Sequence, residues 1–209
     1  MVSIKVDVRG VPAVRRSLAR LQSDLRDKAM SAALNKVAAK ANTEIKRAVT
    51  SEFNISAGEV ANAITLRKAR GSDLQATLQI FGSRRKRGRS LNVVHFMEKS
   101  ITMAEAKRRS KKGQLYGIGR GGRLLPVLGF KFKRGGGTKQ IEGAFLANKG
   151  RTVFVRTGDK RLPIKPVQMI GVSQMFSAER IKQRVMERID REMVVEVDRA
   201  VKMVLARFG

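Results

Sequence analysis

Residues 143–167 read GAFLANKGRTVFVRTGDKRLPIKPV, and this stretch decides how the chain folds. Within it, Thr152–Arg156 are mainly β-branched and aromatic residues, which pack well on a pleated surface and predict a β-strand. The following Thr-Gly-Asp is typical of a turn. Pro163 and Pro166 fix their own backbone and restrict the residue before them, which predicts an extended exit. We therefore expect the chain to join a sheet here before a helix closes the fold.

Two long helices are predicted, one on each side of this stretch. Pro12 suits the first turn of a helix, and apolar residues recur at helical spacing from Val14 to about residue 52. The second half of this helix is rich in alanine, which favours helix and permits close approach of a neighbour. A second helix is predicted from Ser177 nearly to the end of the sequence. Its single apolar stripe consists of Ile181, Val185, Ile189, Met193, Val197, Val201, Leu205 and Phe208.

Shorter elements complete the predicted architecture. They are an opening strand at residues 4–8, a short helix opened by the capping box Ser56-x-x-Glu59, a hairpin of residues 65–69 and 74–81, a helix within 91–107 and a strand at 128–133. The fold class is α+β: an antiparallel or mixed β-sheet is packed by a long N-terminal helix and a long C-terminal helix, with a basic, glycine-rich insertion.

The chain is expected to form one domain. Residues 1–82 supply the N-terminal strand, the long helix and the hairpin, residues 83–140 form the insertion, and residues 141–209 complete the same domain with strand and C-terminal helix. The core residues expected to be buried together are Leu78, Ile80, Val153, Val155, Ile189 and Val197. Residues 84–134 are expected to be disordered in the free protein, because they offer little apolar surface to bury.

The net charge of +28 predicts an anionic partner. Nucleic acid, an acidic protein surface and an anionic membrane would each satisfy it. The charge is uneven, since residues 84–161 hold 22 Lys/Arg against four Asp/Glu. No apolar run approaches the length of a membrane span, and the N-terminus lacks the apolar region of a signal peptide, so we expect a protein made in the cytoplasm.

Three basic clusters are the candidate contacts with a polyanion or an acidic partner. They consist of Arg84, Arg85, Lys86, Arg87 and Arg89, of Lys107, Arg108, Arg109, Lys111 and Lys112, and of Lys131, Lys133 and Arg134. A charge run is often only a solvated segment, and the pattern fits this reading as well as polyanion contact. One tyrosine and no tryptophan argue against base stacking and favour contact with backbone phosphate.

No catalytic or metal site is expected, and no cofactor. With one histidine, His95, and no cysteine, a typical zinc site or His-based nucleophilic site cannot be assembled. The acidic residues of the last helix lie among arginines and fit a solvated face better than paired carboxylates. Gly-Ile-Gly-Arg-Gly-Gly at residues 117–122 lacks the strand before it and the helix after it that a phosphate-binding loop needs.

The stretch 143–167 also resembles a known family. Gly143-Ala144-Phe145-Leu146, then Gly150-Arg151 leading into the strand, Leu162-Pro163-Ile164 and the long terminal helix are similar to the minor tail protein Z family of tailed phages. The similarity is clearest over the last third of the chain, and this chain has Gly171 where family members tend to carry a proline. Members are virion proteins that act in tail completion. The resemblance implies a place in the virion, at the head-proximal end of the tail.

Three functions are compared. The first, implied by the resemblance, is a structural virion protein that forms a ring with about sixfold symmetry. Its expected partners are other tail and neck proteins, namely the tail terminator, the tail tube or the tape measure. Contact with the end of the packaged DNA is also expected, and contact with a membrane is not. The second is a sequence-nonspecific nucleic-acid-binding protein, argued from charge alone. The third is an enzyme such as a nuclease, which the scarcity of histidine, cysteine and clustered acids disfavours.

Overall fold

Two long helices lie side by side in the computed structural model, which describes residues 1–6, 23–71, 73–82, 90–97, 117–118, 124–125, 128–141, 143–149, 151–158 and 160–208. Helix α1 spans Ser23–Glu52, and the terminal helix, named α4, spans Glu179–Phe208. The chain divides into two compact units. The first is Met1–Thr50, Ala57–Arg89 and Gly171–Gly209, and the second is Ser51–Ser56 and Ser90–Ile170. The division into segments 1–82, 83–140 and 141–209 stays a prediction.

In the first unit, a three-stranded antiparallel sheet has the order β1–β3–β2, with β1 at Val2–Val6, β2 at Ile64–Arg67 and β3 at Ala76–Ile80. Ile4 pairs with Leu78, and every second residue of β3 is fully buried. Because side chains alternate across a strand, this places Ala76, Leu78 and Ile80 on one core-facing side. The short helix α2, Ala57–Asn62, precedes the hairpin as its capping box predicts.

Helix α1 buries one face almost completely. Its fully or nearly buried residues are Ala29, Met30, Ala33, Leu34, Val37, Ala38, Ala41, Ile45, Ala48 and Val49. The alanines let neighbouring elements approach the helix backbone closely, and they also favour helix. Ion pairs join Glu44 to Arg184 and Lys40 to Glu192, so α1 and α4 run antiparallel. Both long helices are therefore confirmed where the structure describes them; residues 7–22 lie outside the described part.

The second unit is built from short strands. The strands are β4 (Ser90–Asn92), β5 (Gly117–Ile118), β6 (Leu124–Leu125), β7 (Gly129–Phe130), β8 (Lys139–Gln140), β9 (Phe145–Ala147), β10 (Thr152–Arg156), β11 (Ile164–Pro166) and β12 (Gln168–Ile170). They form a sheet of order β11–β10–β9 and the antiparallel pairs β12–β4, β5–β6 and β7–β8. Strand β10 has the bounds predicted from the sequence. The described elements as a whole confirm the α+β class.

The core of the second unit consists of Val93, Leu128, Phe130 and Val153. Asn92 ties it together, because its side-chain amide donates to the carbonyl of Val153 at 3.1 Å and its side-chain oxygen accepts the N–H of Val153 at 3.0 Å. The same oxygen accepts the N–H of Val94 at 3.1 Å and so caps a single 3-10 turn, Val93–Phe96.

Several expectations are wrong. Residues 91–97 form the end of β4 and the 3-10 turn, not a helix; residues 98–107 lie outside the described part. Val153 is buried in the core of the second unit rather than with Leu78 and Ile189, and Val155 is only half-buried. The expected disorder is wrong for 90–97 and 128–134, which bury Val93, Phe96 and Phe130.

A short helix, α3 (Val172–Phe176), leads into α4. Gly171 is its N-cap, with extended backbone, and its N–H donates to the side-chain oxygen of Gln174 at 2.9 Å. The N–H of Val172 donates to the carbonyl of Gly82 at 3.0 Å. The path around Gly171 is thus a capped helix start.

Candidate functional site

The third basic cluster is the one that the structure describes. Lys131, Lys133 and Arg134 follow β7, and the side chains of Lys133 and Arg134 are exposed while Lys131 is half-buried. The other ten candidates (Arg84, Arg85, Lys86, Arg87, Arg89, Lys107, Arg108, Arg109, Lys111 and Lys112) lie outside the described residues. The structure therefore describes three of the thirteen, and their role as contact residues stays a prediction.

Backbone hydrogen bonds hold this cluster on both sides. The N–H of Lys131 donates to the carbonyl of Phe96 at 2.9 Å, and the N–H of Arg134 donates to the carbonyl of Glu52 at 3.0 Å. Between them, the carbonyl of Phe132 accepts the N–H of Asn54 at 2.8 Å. Because the backbone is fixed and the ring of Phe132 packs 5.5 Å from that of Phe96, the charged side chains of 133 and 134 project from a folded segment rather than from a free loop.

A second basic feature lies on the sheet β11–β10–β9, and it was not predicted from the sequence. Phe145 and Phe154 are cross-strand partners whose rings stack with centroids 6.2 Å apart. The guanidinium of Arg156 lies 4.7 Å from the centroid of the Phe145 ring, a cation–π contact. Neither phenylalanine belongs to the core cluster or to the residues packed against it. The signal was present: Phe154 and Arg156 are two residues apart, and so on the same face, opposite to Val153.

Three acidic side chains of the first unit, Glu44, Glu192 and Glu196, form ion pairs between α1 and α4. The ammonium of Lys40 lies 2.6 Å from carboxylate oxygens of both Glu192 and Glu196. Glu196 is 1% exposed and also bonds Arg199 at 2.7 Å, while Glu192 bonds Arg188 at 2.6 Å. This arrangement is a clamp between α1 and α4, and only its outer arginines fit the predicted solvated charges. The second carboxylate oxygen of Glu196 is buried without a hydrogen-bond partner among the described residues and lies 3.8 Å from the ammonium of Lys36.

The clamp shifts the proton affinity of its members. The hydrogen bond from Lys40 is the main cause that holds the pKa of Glu192 and of Glu196 below its usual range, against the opposing effect of burial. The same hydrogen bonds raise the pKa of Lys40. All three groups are therefore charged at neutral pH, and the clamp stabilises the helix pair rather than offering a proton donor or acceptor.

The described residues show no grouping suited to metal chemistry. Among them, no three His, Cys, Asp or Glu side chains lie close enough together to hold a metal ion. His95 is exposed on the 3-10 turn. In the glycine-rich stretch, Gly117–Ile118 pairs with the strand Leu124–Leu125, so a strand takes the place of the helix that a phosphate-binding loop needs.

Comparison with protein families identifies the chain. The family model described as prophage minor tail protein Z matches residues 8–208, nearly the whole length. The chain belongs to this family. The resemblance seen in residues 143–167 is confirmed and extends well beyond the last third. No curated protein and no solved structure matches the chain.

Membership of the minor tail protein Z family establishes a structural role in a phage tail, with other tail proteins as its partners and the virion tail as its location. In the part of the chain that the structure describes, none of the helices combines the length and the apolar character needed to cross a membrane. The basic cluster at 131–134 and the Phe145–Phe154–Arg156 face are accordingly surfaces of a virion component.

Proposed function

We propose that this minor tail protein completes the tail at its head-proximal end, as a ring of about six copies around the tail axis, with the basic region of residues 84–161 turned toward the end of the packaged DNA. One observation carries this proposal: in a member of a tail protein family, the positive charge is concentrated in one part of the chain, with 22 Lys/Arg against four Asp/Glu in residues 84–161.

The described part of that region supports contact with a polyanion. Lys133 and Arg134 are exposed on a folded segment, and Arg156 is held in place by the ring of Phe145. A guanidinium fixed in this way loses less side-chain entropy when it binds a phosphate oxygen. Phosphate contacts of this kind do not depend on base sequence, which suits a protein that meets whatever DNA end has been packaged.

An acidic surface on a neighbouring tail or neck protein, such as the tail terminator, the tail tube or the tape measure, would also match this charge. DNA is favoured because Lys133, Arg134 and Arg156 are exposed and suit contact with backbone phosphate, which the scarcity of tyrosine and tryptophan also predicts. A free nucleic-acid-binding protein, the second function considered, would show the same charge but would have no fixed place in the particle.

A reconstruction of the neck of intact particles tests the proposal. The expected result is a ring of this protein centred on the tail axis between head and tail tube, with residues 131–134 and 156 directed at DNA density. A single copy off the axis would overturn the ring, and acidic protein density opposite these residues would overturn the DNA contact. Particles that carry Lys131→Ala, Lys133→Ala and Arg134→Ala together provide the comparison.

A matched control removes the same three charges from the first unit, as Lys28→Ala, Arg47→Ala and Lys68→Ala, all exposed residues. The proposal expects the DNA end to be displaced or less ordered in the first variant only. Equal effects in both variants would mean that total charge matters and that the second unit has no special contact.

A further inference from the structure

Helix α4 carries a second set of side chains that points away from its buried stripe. These residues, called the outer strip, are Glu187, Arg191, Val194, Val195, Asp198, Lys202 and Leu205, and all are exposed. Val194 is 47% exposed, Val195 44% and Leu205 50%. A shallow groove runs beside the strip, lined by both valines and by Asp198, Arg199, Lys202, Met203 and Ala206.

The spacing of the outer strip makes it one continuous face. Its members follow one another at intervals of three and four residues, apart from the adjacent valines at the centre, and such positions lie above one another on a helix. A water-facing helix gains nothing from two adjacent exposed valines, which are poorer helix formers than the charged residues around them. Apolar residues grouped in this way, with charged residues around them, are typical of a binding surface.

The charge pattern of the strip is self-complementary. If a second copy of α4 lies antiparallel, with a twofold axis between residues 194 and 195, Arg191 meets Asp198 of the second copy and Glu187 meets Lys202. At the centre, Val194 of each copy meets Val195 of the other. A parallel arrangement would instead place Arg191 against Arg191 and Asp198 against Asp198, which like-charge repulsion disfavours.

The strip is also locally neutral on a strongly basic chain. Its two acidic and two basic residues balance, although the whole chain has a net charge of +28. Over most of its surface a second copy of the same protein would be repelled, whereas an acidic partner would be attracted. A neutral strip with an apolar centre therefore suits a second copy better than it suits an acidic partner.

We propose that the outer strip is the contact surface for a second copy of this chain, in an antiparallel, twofold-symmetric pair of α4 helices. Such an isologous contact cannot join neighbours in a ring around a single polar axis. The pair is therefore a state of the protein outside the particle, and it is separate from the proposed ring. The intrahelical ion pair Asp198–Lys202, 2.7 Å long, is exposed and is available to form the new pairs.

Single-cysteine variants test the geometry, because the natural chain has no cysteine. Val194→Cys lies beside the twofold axis and should form a disulfide-linked dimer under mild oxidation. Leu205→Cys should not, because at 1.5 Å rise per residue the two copies of position 205 would be roughly 30 Å apart. Cross-linking at both positions would overturn the antiparallel pair in favour of a parallel one. Cross-linking at neither would overturn the proposal altogether.

Charge reversal tests the same contact by light scattering on the full chain. Arg191→Asp should turn the dimer into a monomer, because it places an acid opposite Asp198, and Arg191→Asp with Asp198→Arg should restore the dimer. Lys28→Asp makes the same charge change on α1 and should leave the dimer intact. A wild type that is monomeric at all concentrations, or a double variant that stays monomeric while its melting temperature is unchanged, would overturn the proposal.

Discussion

The side chain of Asn35 on α1 pairs with both backbone groups of Ala69 in the loop between β2 and β3. Its amide nitrogen donates to the carbonyl of Ala69 at 3.0 Å, and its oxygen accepts the N–H of Ala69 at 2.8 Å. Ala69 is 4% exposed, so these backbone groups have little access to water. Asn35 thus replaces a missing strand partner and fixes the hairpin to the long helix.

Replacing Asn35 by alanine should destabilise the first unit by about 1–3 kcal/mol, since two hydrogen bonds are removed and two nearly buried backbone groups are left unpaired. Asn35→Asp should also destabilise it, because a carboxylate can accept the N–H but cannot donate to the carbonyl. Urea denaturation measures both changes. Ser31→Ala, which removes only an exposed hydrogen bond within α1, should have little effect and serves as the control.

Acidification should weaken the clamp of Lys40, Glu192 and Glu196. Both carboxyl groups have a folded-state pKa below the unfolded value, so the stability they contribute is complete above about pH 4.3 and is lost as the pH falls through the lowered pKa. Lys40 has a raised pKa, so its contribution is present below the usual lysine range and is lost only at strongly alkaline pH.

The measurement is urea denaturation of wild type and Glu196→Gln over a pH series. The variant should be less stable at pH 7, and the difference should shrink as the pH falls below about 4. Glu179→Gln removes a carboxylate that is 66% exposed and 4.0 Å from Lys182, so it should differ little from wild type at any pH. A difference for Glu196→Gln that stays constant down to about pH 2 would contradict the clamp.

Local sequence patterns were sufficient where an element's partners are close in sequence. The strand Thr152–Arg156 and the hairpin of β2 and β3 were predicted because alternation and turn residues lie within one stretch. The helix expected at 91–107 fails for the opposite reason. Val94 and Met97 have helical spacing, but Asn92 bonds to Val153, 61 residues away, and no local pattern contains that partner.

The stripe of α4 shows a second limit of pattern reading. A helix turns by about 100° per residue, so a strict spacing of four residues advances the face by about 40° at each step. From Ile181 to Val201 the side chains stay buried, but at Leu205 the stripe has turned away from the core, and this residue is 50% exposed. The basic cluster at 131–134 could be found from its charge alone. The stacking of Phe145 on Phe154 could not be predicted without knowing the register in which β9 pairs with β10.

The core of the first unit gives a direct stability prediction. Leu78 is fully buried in the central strand of its sheet, and Leu78→Ala should lower the free energy of unfolding by about 2–5 kcal/mol because it leaves a cavity. Leu205→Ala makes the same chemical change at a half-exposed position, so it should lower the free energy of unfolding by much less than Leu78→Ala. Thermal unfolding of the two variants checks the contrast, and equal melting temperatures would contradict the described core.

The basic clusters should affect DNA binding through salt dependence. If phosphate is the partner, alanine at Arg84, Arg85, Lys86, Arg87 and Arg89 should weaken binding equally for two unrelated duplexes. It should also reduce the slope of log affinity against log salt by roughly 0.9 for each phosphate that the variant no longer neutralises. Alanine at Lys131, Lys133 and Arg134 should act in the same direction.

The comparison variant for this titration is the triple alanine change at Lys28, Arg47 and Lys68, which matches the 131–134 variant in charge and residue type. It should keep a slope close to that of wild type, because only contacts that release counterions from DNA enter the slope. If the five-residue variant and wild type give equal slopes, residues 84–89 do not touch phosphate. If the 131–134 variant also gives the wild-type slope, the expected binding partner of the basic second unit is an acidic protein surface and not DNA.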